Sequence, residues 1–340
     1  MIYGSIFYRD YSQNSLFESG AGENNGEFYL PYRLLRERFL KEGIELNTPD
    51  QNAGHVVAFE LHINCRRQNP QSRAYVYLYE NPLIRSLNRN RHALARYERW
   101  FTWDGELLNE PKAVQLFYPN DLKVSTFSGP ESRPLFCVLV SSNKALAIND
   151  SRDQYQDRVR LIQWYEKNAP HDFHLYGRGW DRPAALPGRW GRIYNQILKI
   201  ISRFPPCKSP WQTWRGPIGD KIALLRKARF GIAHENTRDL SGYITEKLFD
   251  CFRAGCVPVY IGPREIHQVI PARCFIDGRR WNNPEEMNQY LHSISDDDYR
   301  GFQKAISDFL GSPKARPFSQ EHFVETIVST IVKDLKPASH

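Results

Sequence analysis

The sequence predicts an α/β protein built on open, parallel sheets, and three observations carry that expectation. Short apolar runs alternate with helical stripes and polar loops through the first hundred residues and again after residue 135. One stretch, Phe230 to Pro263, runs strand, polar loop, helix, strand, an order that sets a helix N-terminus at the carboxyl edge of a parallel sheet. The 340 residues, 41% apolar and 25% charged, suit two ordinary globular domains rather than a disordered chain.

Ile2 to Phe7 reads as a first strand, and residues 8–26 as a long polar loop. A helix from about Glu27 to Lys41 carries Leu30, Leu34, Leu35 and Phe39 as its stripe and stops at Gly43. Ile44 to Leu46, Val56 to Leu61, Tyr75 to Tyr79 and Phe101 to Trp103 are short strands, while Arg85 to Arg99 stays open between helix and loop. Pro, Asn, Ser and Gly dominate Asn109 to Pro134, which places the boundary there. The expected units are an N-terminal domain at 1–131, a C-terminal domain at 132–312 and a tail at 313–340.

In the second domain Leu135 to Val140 and Phe173 to Tyr176 are strands, separated by a helix from Tyr155 to Asn168. Val159, Ile162, Trp164 and Tyr165 form the buried side of that helix. Gly188 to Phe204 is an extra helix, Pro205 to Pro217 a loop rich in Trp and Pro, and Asp220 to Ala228 a helix leading into the central stretch. There Phe230, Ile232 and Ala233 end a strand, Thr245 caps a helix that Gly255 stops, and Val257 to Ile261 is the next strand. Arg264 to Gln268 is a short helix, Cys274 to Asp277 a strand, and Asn283 to Ser295 and Asp297 to Leu310 are helices. The final helix, Gln320 to Leu335, carries Phe323, Ile327, Ile331 and Leu335 on one side and is expected to pack back across the domain junction.

Composition excludes several classes. No apolar run approaches the roughly 20 residues a membrane helix needs, and Met1 is not followed by a basic-then-apolar leader. Cys65, Cys137, Cys207, Cys251, Cys256 and Cys274 form no C-x-x-C pair, so they read as buried free thiols of a reducing compartment, with no zinc site. The net charge of +8 permits nucleic acid, anionic membrane or phosphorylated ligands without choosing among them. Basic clusters at Arg66–Arg67, Arg85 to Arg99 and Arg178 to Arg192 come with no recognition motif, which argues against nucleic acid. Gly177-Arg178-Gly179 lacks the third glycine and the helix of a dinucleotide fingerprint, so an oxidoreductase is rejected. Asp296-Asp297-Asp298 follows Ser295 and opens a helix, which makes it part of a cap rather than a metal site.

Lys247 is the residue out of place. A cation in the first turn of a helix opposes the macrodipole by roughly 0.3–1 kcal/mol. An anion in front of the helix would remove that conflict, since backbone N–H groups and the ammonium would share it. The alternative is a solvated lysine whose stem covers apolar surface. The polar loop before it, with Asn236, Asp239, Ser241 and Gly242, favours a phosphate cradle.

The run HENTRDLSGYITEKLFDCFRAGCVPVYIG closely resembles the signature of glycosyltransferase family 10, the α1,3/4-fucosyltransferases. The pieces stand in order as Phe230–Glu235–Asn236, Tyr243–Ile244–Thr245–Glu246–Lys247 and Gly255 to Gly262, with His234 where many members carry Phe. The resemblance covers Ser141 to about Leu310 well and the first 130 residues only loosely.

That resemblance implies a GT-B architecture, two Rossmann-like domains facing across a cleft, with the donor GDP-fucose held by the C-terminal one. It implies inverting transfer of L-fucose to a hydroxyl of a glycan acceptor, such as N-acetylglucosamine in a surface polysaccharide. Donor contacts are expected from Arg158, Asn236, Tyr243, Glu246 and Lys247, with Arg160 as the alternative to Arg158. Ser142, Asn143, Gly177, Lys221, Glu235 and Thr245 are further donor-side candidates. Tyr79-Glu80-Asn81-Pro82 looks like the family's acidic segment, which makes Glu80 the expected catalytic base, against the bland reading of a surface glutamate before a turn. His55, His62 and Asp104 are its competitors. No D-x-D motif stands in a convincing loop, so no metal ligand or cofactor is expected, with Mg²⁺ or Mn²⁺ at most stimulating. The expected location is cytoplasmic, in peripheral contact with the inner face of the membrane through the basic surface. The rival readings are a related transferase of another nucleotide sugar, a non-enzymatic polyanion-binding protein and a catalytically dead scaffold.

Overall fold

The computed structural model describes residues 1–8, 11–18, 29–51, 54–63, 71–146, 148–186, 188–201 and 209–336. Cys65, Cys207, Arg66, Arg67, Glu27, most of the 8–26 loop and part of the 205–217 loop lie outside them.

The chain divides into two compact units, residues 1–121 with 316–340, and residues 122–315. In the first, β1 (Ile2–Phe7), β2 (Ile44–Asn47), β3 (Val57–Glu60), β4 (Arg73–Leu78), β5 (Arg99–Thr102) and β6 (Ala113–Gln115) form one sheet in the order β2-β1-β3-β4-β5-β6. Every strand pair is parallel. Helices α1 (Leu30–Lys41) and α2 (Arg91–Leu94) belong to this unit. The two-residue period of β4 sorts its side chains between the faces. Tyr75 and Tyr77 join Leu35 and Phe39 in one core, while Ala74, Val76 and Leu78 join Leu94, Tyr97 and Trp100 in the other.

The second unit has a sheet of β7 (Leu135–Val140), β8 (Phe173–Tyr176), β9 (Ala228–His234), β10 (Val257–Ile261) and β11 (Ile276–Asp277), ordered β11-β10-β9-β7-β8 and parallel throughout. Its helices are α3 (Gln154–Asn168), α4 (Gly188–Ile201), α5 (Lys221–Leu225), α6 (Glu246–Ala254), α7 (Ile266–Val269), α8 (Pro284–Ser293) and α9 (Asp296–Leu310). Leu161, Ile162 and Tyr165 of α3 and Met287 and Leu291 of α8 cover one sheet face. Helix α6 packs on β9 and β10 and against α5 and α9. In both sheets the strand order reverses beside the first strand, between β1 and β3 and between β7 and β9. Crevices for ligands open at the carboxyl ends of strands at such points.

The last helix, α10 (Gln320–Leu335), belongs to the first unit. Ser319 caps it, accepting from the His322 N–H at 3.0 Å, and Phe323, Ile327 and Ile331 enter the core beneath α1. Arg99 of β5 ties it down with a two-pronged bond to Asp334, at 3.0 and 2.9 Å. The break between units falls after Asp121 rather than at 131. Buried Arg133 explains the shift, because it donates to the carbonyls of Ser128, Leu225, Ala228 and Ala254 and so anchors residues 128–133 to the second unit. Strand β6 lay hidden in the polar stretch expected to be a linker; it is a three-residue edge strand, too short to show a period.

Two positions fix how the central strand-helix-strand unit closes. Gly255 ends α6 at φ 61° with its N–H bonded to the Cys251 and Phe252 carbonyls, and a Cβ there would lie 2.4 Å from a carbon of the Phe127 ring. Gly255→Ala should therefore cost at least about 1 kcal/mol, measured as a lower denaturant midpoint with unchanged slope. His234, the last residue of β9, is 5% exposed, and neither ring nitrogen is hydrogen-bonded to another described residue. Burial, reinforced by Arg158 and Arg238, pushes its pKa from the usual 6.5 to about 3. Between those values the unfolded chain takes up a proton that the folded one refuses. The stability this histidine leaves intact above pH 6.5 is thus lost as pH falls towards 3, at up to about 1.4 kcal/mol per pH unit. Denaturation midpoints of native protein and His234→Phe, compared from pH 7 to pH 4, should diverge, with the variant losing less.

Candidate functional site

The carboxyl end of β9 is where the sequence and the topology meet. The strand stops at His234, and Glu235, next in line, is fully buried. Its carboxylate accepts from the Thr245 N–H at 2.8 Å, the Thr245 hydroxyl at 2.7 Å, the Lys247 ammonium at 3.3 Å and the Tyr260 hydroxyl at 3.2 Å. One side chain thus locks the strand end, the first turn of α6 and β10 together. Thr245 is the N-cap of α6, as the sequence predicts, and its hydroxyl also receives the Lys247 ammonium at 3.0 Å. The conflict between Lys247 and the helix dipole is met inside the chain: Glu235 supplies the negative charge. Lys247 keeps 20% of its side chain exposed, so its ammonium is oriented by the protein yet reachable from solvent. Glu246 lies beside it, 48% exposed and 3.7 Å from the ammonium. Partial burial disfavours its charge, but Lys247 and Lys221 prevail and hold its pKa down to about 2.

Arg158 closes the crevice from the other side. It sits on α3, is 2% exposed, and donates to the Ser141 hydroxyl at 3.0 Å, the carbonyls of His234 and Glu235 at 2.9 and 2.7 Å, and Asn236 Oδ1 at 3.1 Å. These partners stand at the ends of β7 and β9, so the guanidinium bridges the very gap where the strand order reverses. Arg160, on the same helix, points elsewhere: it is 72% exposed and paired with Asp157. Asn236 passes a second bond to the Tyr243 hydroxyl at 3.4 Å, and Tyr243 is buried against the loop.

The other donor-side candidates divide by position. Ser142 and Asn143 follow β7, and Asn143 uses its amide to hold the Gly179 and Arg182 carbonyls at 3.0 and 2.9 Å. Gly177 has φ 128°, and a Cβ there would sit 2.0 Å from the Ser141 carbonyl oxygen; only glycine lets the two strand-end loops come this close. Lys221 is engaged on α5, where it pairs with Asp250 of α6 at 2.5 Å. Nothing in the sequence singled out Gln154 and Thr237. Gln154 Oε1, Thr237 Oγ1, Arg158 Nε, Arg238 Nε and both His234 ring nitrogens are buried with no hydrogen-bond partner among the described residues. An isolated bridge between Asp153 and Thr237 and the bond from Gln154 N–H to the Asn236 carbonyl hold this group at one place. The group gathered at the ends of β7 and β9 is therefore polar, with Arg158 and Arg238 as its cations.

In the first unit Glu80 follows β4, half-buried, with its carboxylate accepting from Asn81 N–H at 3.0 Å and from the Asn81 amide at 3.2 Å. Asn81 is fully buried and its Oδ1 caps the turn through Leu83 and Ile84. Trp103 and Tyr118 both donate to the Tyr79 carbonyl, fixing the backbone just before Glu80. The competitors are enclosed. Asp104 is 3% exposed and gripped by Arg89 at 2.6 and 2.9 Å. His62 is 6% exposed and lies 2.9 Å from the Tyr79 hydroxyl, and His55 is 4% exposed.

Comparison with known proteins bears on the same region. Residues 195–304 match the family described as glycosyltransferase family 10 (fucosyltransferase), C-terminal part. The human 4-galactosyl-N-acetylglucosaminide 3-alpha-L-fucosyltransferase 9 is 35% identical over 107 residues, covering 30% of this chain and 28% of the relative. The mouse alpha-(1,3)-fucosyltransferase 7 is 27% identical over 217 residues, covering 63% of this chain and 44% of the relative. The chain thus matches less than half the length of these relatives. Among solved structures, an alpha1,3-fucosyltransferase with GDP-fucose superimposes with a TM-score of 0.51 at 14% identity, over 99% of this chain and 91% of that one. An alpha-glucosyltransferase in complex with UDP and DNA gives 0.52 at 11% identity, over 98% and 100%. At such identities these structures speak for the fold, which is the GT-B fold of two Rossmann-like units. The matched sequence lies over the α6 cradle and its flanking strands, and over that stretch the chain is similar to glycosyltransferase family 10.

Proposed function

We propose that this chain is an inverting α1,3/4-fucosyltransferase that moves L-fucose from GDP-fucose to a hydroxyl of a glycan acceptor. The observation that carries the reading is the α6 N-terminus, where Thr245, Lys247 and the first turn of the helix are held together by Glu235. Such a terminus suits a diphosphate, and a fixed ammonium adds charge as the leaving group forms. Arg158 holds the crevice floor in shape, and Asn236 and Tyr243 wall it. Glu246, ionised and exposed, suits the ribose hydroxyls. In the reaction the acceptor oxygen bonds to the anomeric carbon, the bond from that carbon to the diphosphate breaks, and GDP departs. The acceptor proton passes to a base on the face opposite the leaving group, a role we assign to Glu80.

Two variants separate these roles. Lys247→Ala should weaken GDP binding more than about tenfold by titration calorimetry, with far-UV circular dichroism unchanged. Glu80→Gln keeps size and hydrogen bonding but cannot accept the proton, so kcat should fall by about 10²–10⁴ while GDP affinity stays put. Normal turnover by Glu80→Gln would move the base elsewhere. A thermal-shift screen of GDP, UDP, CDP and ADP sugars identifies the donor, since a ligand at a hundred times its Kd stabilises by about 2.7 kcal/mol; a response to a non-guanine sugar alone would overturn the fucosyl assignment.

We also propose that no metal is required, because the sequence offers no D-x-D loop and the leaving charge has cationic partners in Lys247 and the helix terminus. Turnover should persist in EDTA, with added Mg²⁺ or Mn²⁺ raising it at most. Complete loss in EDTA, restored by one metal, would refute this.

A further inference from the structure

Helix α4 is built with its apolar side outward. Ile193, Ile197 and Ile200 are 48%, 51% and 58% exposed, and at about 100° per residue they fall within one narrow stripe. Gly191 and Asn195 lie on the opposite side, and they tie the helix to Leu186 just before it. A Cβ on Gly191 would stand 2.3 Å from the Leu186 carbonyl oxygen, and the Asn195 amide closes a ring with the Leu186 backbone at 3.0 and 2.8 Å. A helix of a globular protein normally turns its apolar stripe to the core; this one turns a glycine and an amide to its leading segment and presents isoleucine to solvent.

The stripe is not scatter. Of eleven large apolar side chains that are exposed among the described residues, three are these isoleucines, and Ile148, 52% exposed, follows a segment bridged to Ala185 beside the helix. Charge points the same way. The helix holds Arg189, Arg192 and Lys199 and no acidic residue, and residues 178–201 hold five basic residues against Asp181, itself paired with Arg182. No helix among the described residues is long and apolar enough to cross a membrane.

We propose that α4 is a membrane-surface helix that lays its isoleucine stripe into the headgroup boundary of a lipid bilayer whose anionic charge suits the net positive charge of residues 178–201. A second copy of the chain suits the surface less well. A stable dimer buries about 1,200 Å² or more, which three side chains do not supply, and two such helices would meet with like charge. The inference does not depend on the transferase reading.

The test is co-sedimentation of the full chain with vesicles of phosphatidylcholine alone and with one third phosphatidylglycerol. Binding is expected to the anionic vesicles, to be reduced by 0.5 M NaCl, and to fall at least about tenfold in Ile193→Gln/Ile197→Gln/Ile200→Gln. Glutamine keeps the helix propensity, and the unchanged thermal midpoint of the triple variant checks the fold; should it fail to fold, Ile197→Gln alone is read for a partial loss. Equal binding of native and variant protein, or no binding to anionic vesicles, would overturn the proposal. So would a concentration-dependent dimer in sedimentation velocity that the triple variant abolishes, since the stripe would then be a self-contact.

Discussion

The buried carboxylate of Glu235 is the constraint on which the donor-side architecture rests. A charge with no solvent exposure is tolerable only when its lone pairs are filled, and four donors from Thr245, Lys247 and Tyr260 fill them. Removing one member of such a buried set typically costs about 3–5 kcal/mol, because the rest is left uncompensated. Strand, helix and next strand are thereby coupled: β9 cannot shift its end without dragging the N-terminus of α6 and the hydroxyl of Tyr260. A helix terminus meant to meet a ligand needs this rigidity, since a loose one would spend binding energy on ordering itself.

Arginines do the complementary work on the backbone. Strand ends leave carbonyls with no ladder partner, and buried carbonyls must find donors. Arg158 serves the ends of β7 and β9, and Arg133 serves the carbonyls of Leu225, Ala228 and Ala254 at the other end of the sheet. Each guanidinium spreads several donors in a rigid fork, which one lysine could not reproduce. The terminal nitrogens of Arg158 are committed to neighbours in the chain, so its first role is to shape the crevice.

Much of this was legible in the sequence. Leu135–Val140, Phe173–Tyr176, Val257–Ile261 and the α10 stripe were readable because their apolar periods are long and their ends are punctuated, as by Thr245 and Gly255 around α6. The helix expected from Asp220 to Ala228 is shorter, Lys221–Leu225, because Ala228 is already in β9. The strand expected from Cys274 is likewise shorter, since Ala272–Cys274 make a tight helical turn first. Lys247 announced itself by breaking the dipole rule, but its partner could not be found locally: Glu235 lies twelve residues away, and only the fold brings them together. Gln154 and Thr237 carried no signal, since neither type is unusual in a loop or a helix start. Burial without a partner exists only in three dimensions.

The excursion of the chain through a whole second unit before it finishes the first has a consequence for biosynthesis. The sheet of the first unit is complete by residue 115, yet Phe323, Val324, Ile327, Val328 and Ile331 of its core arrive some two hundred residues later. On the ribosome that sheet waits with an apolar face uncovered while residues 122–315, a self-contained block, are made and can close on their own. Although made before residues 122–315, the sheet of the first unit is thus protected after them, and the interval before α10 emerges is when a chaperone would be needed.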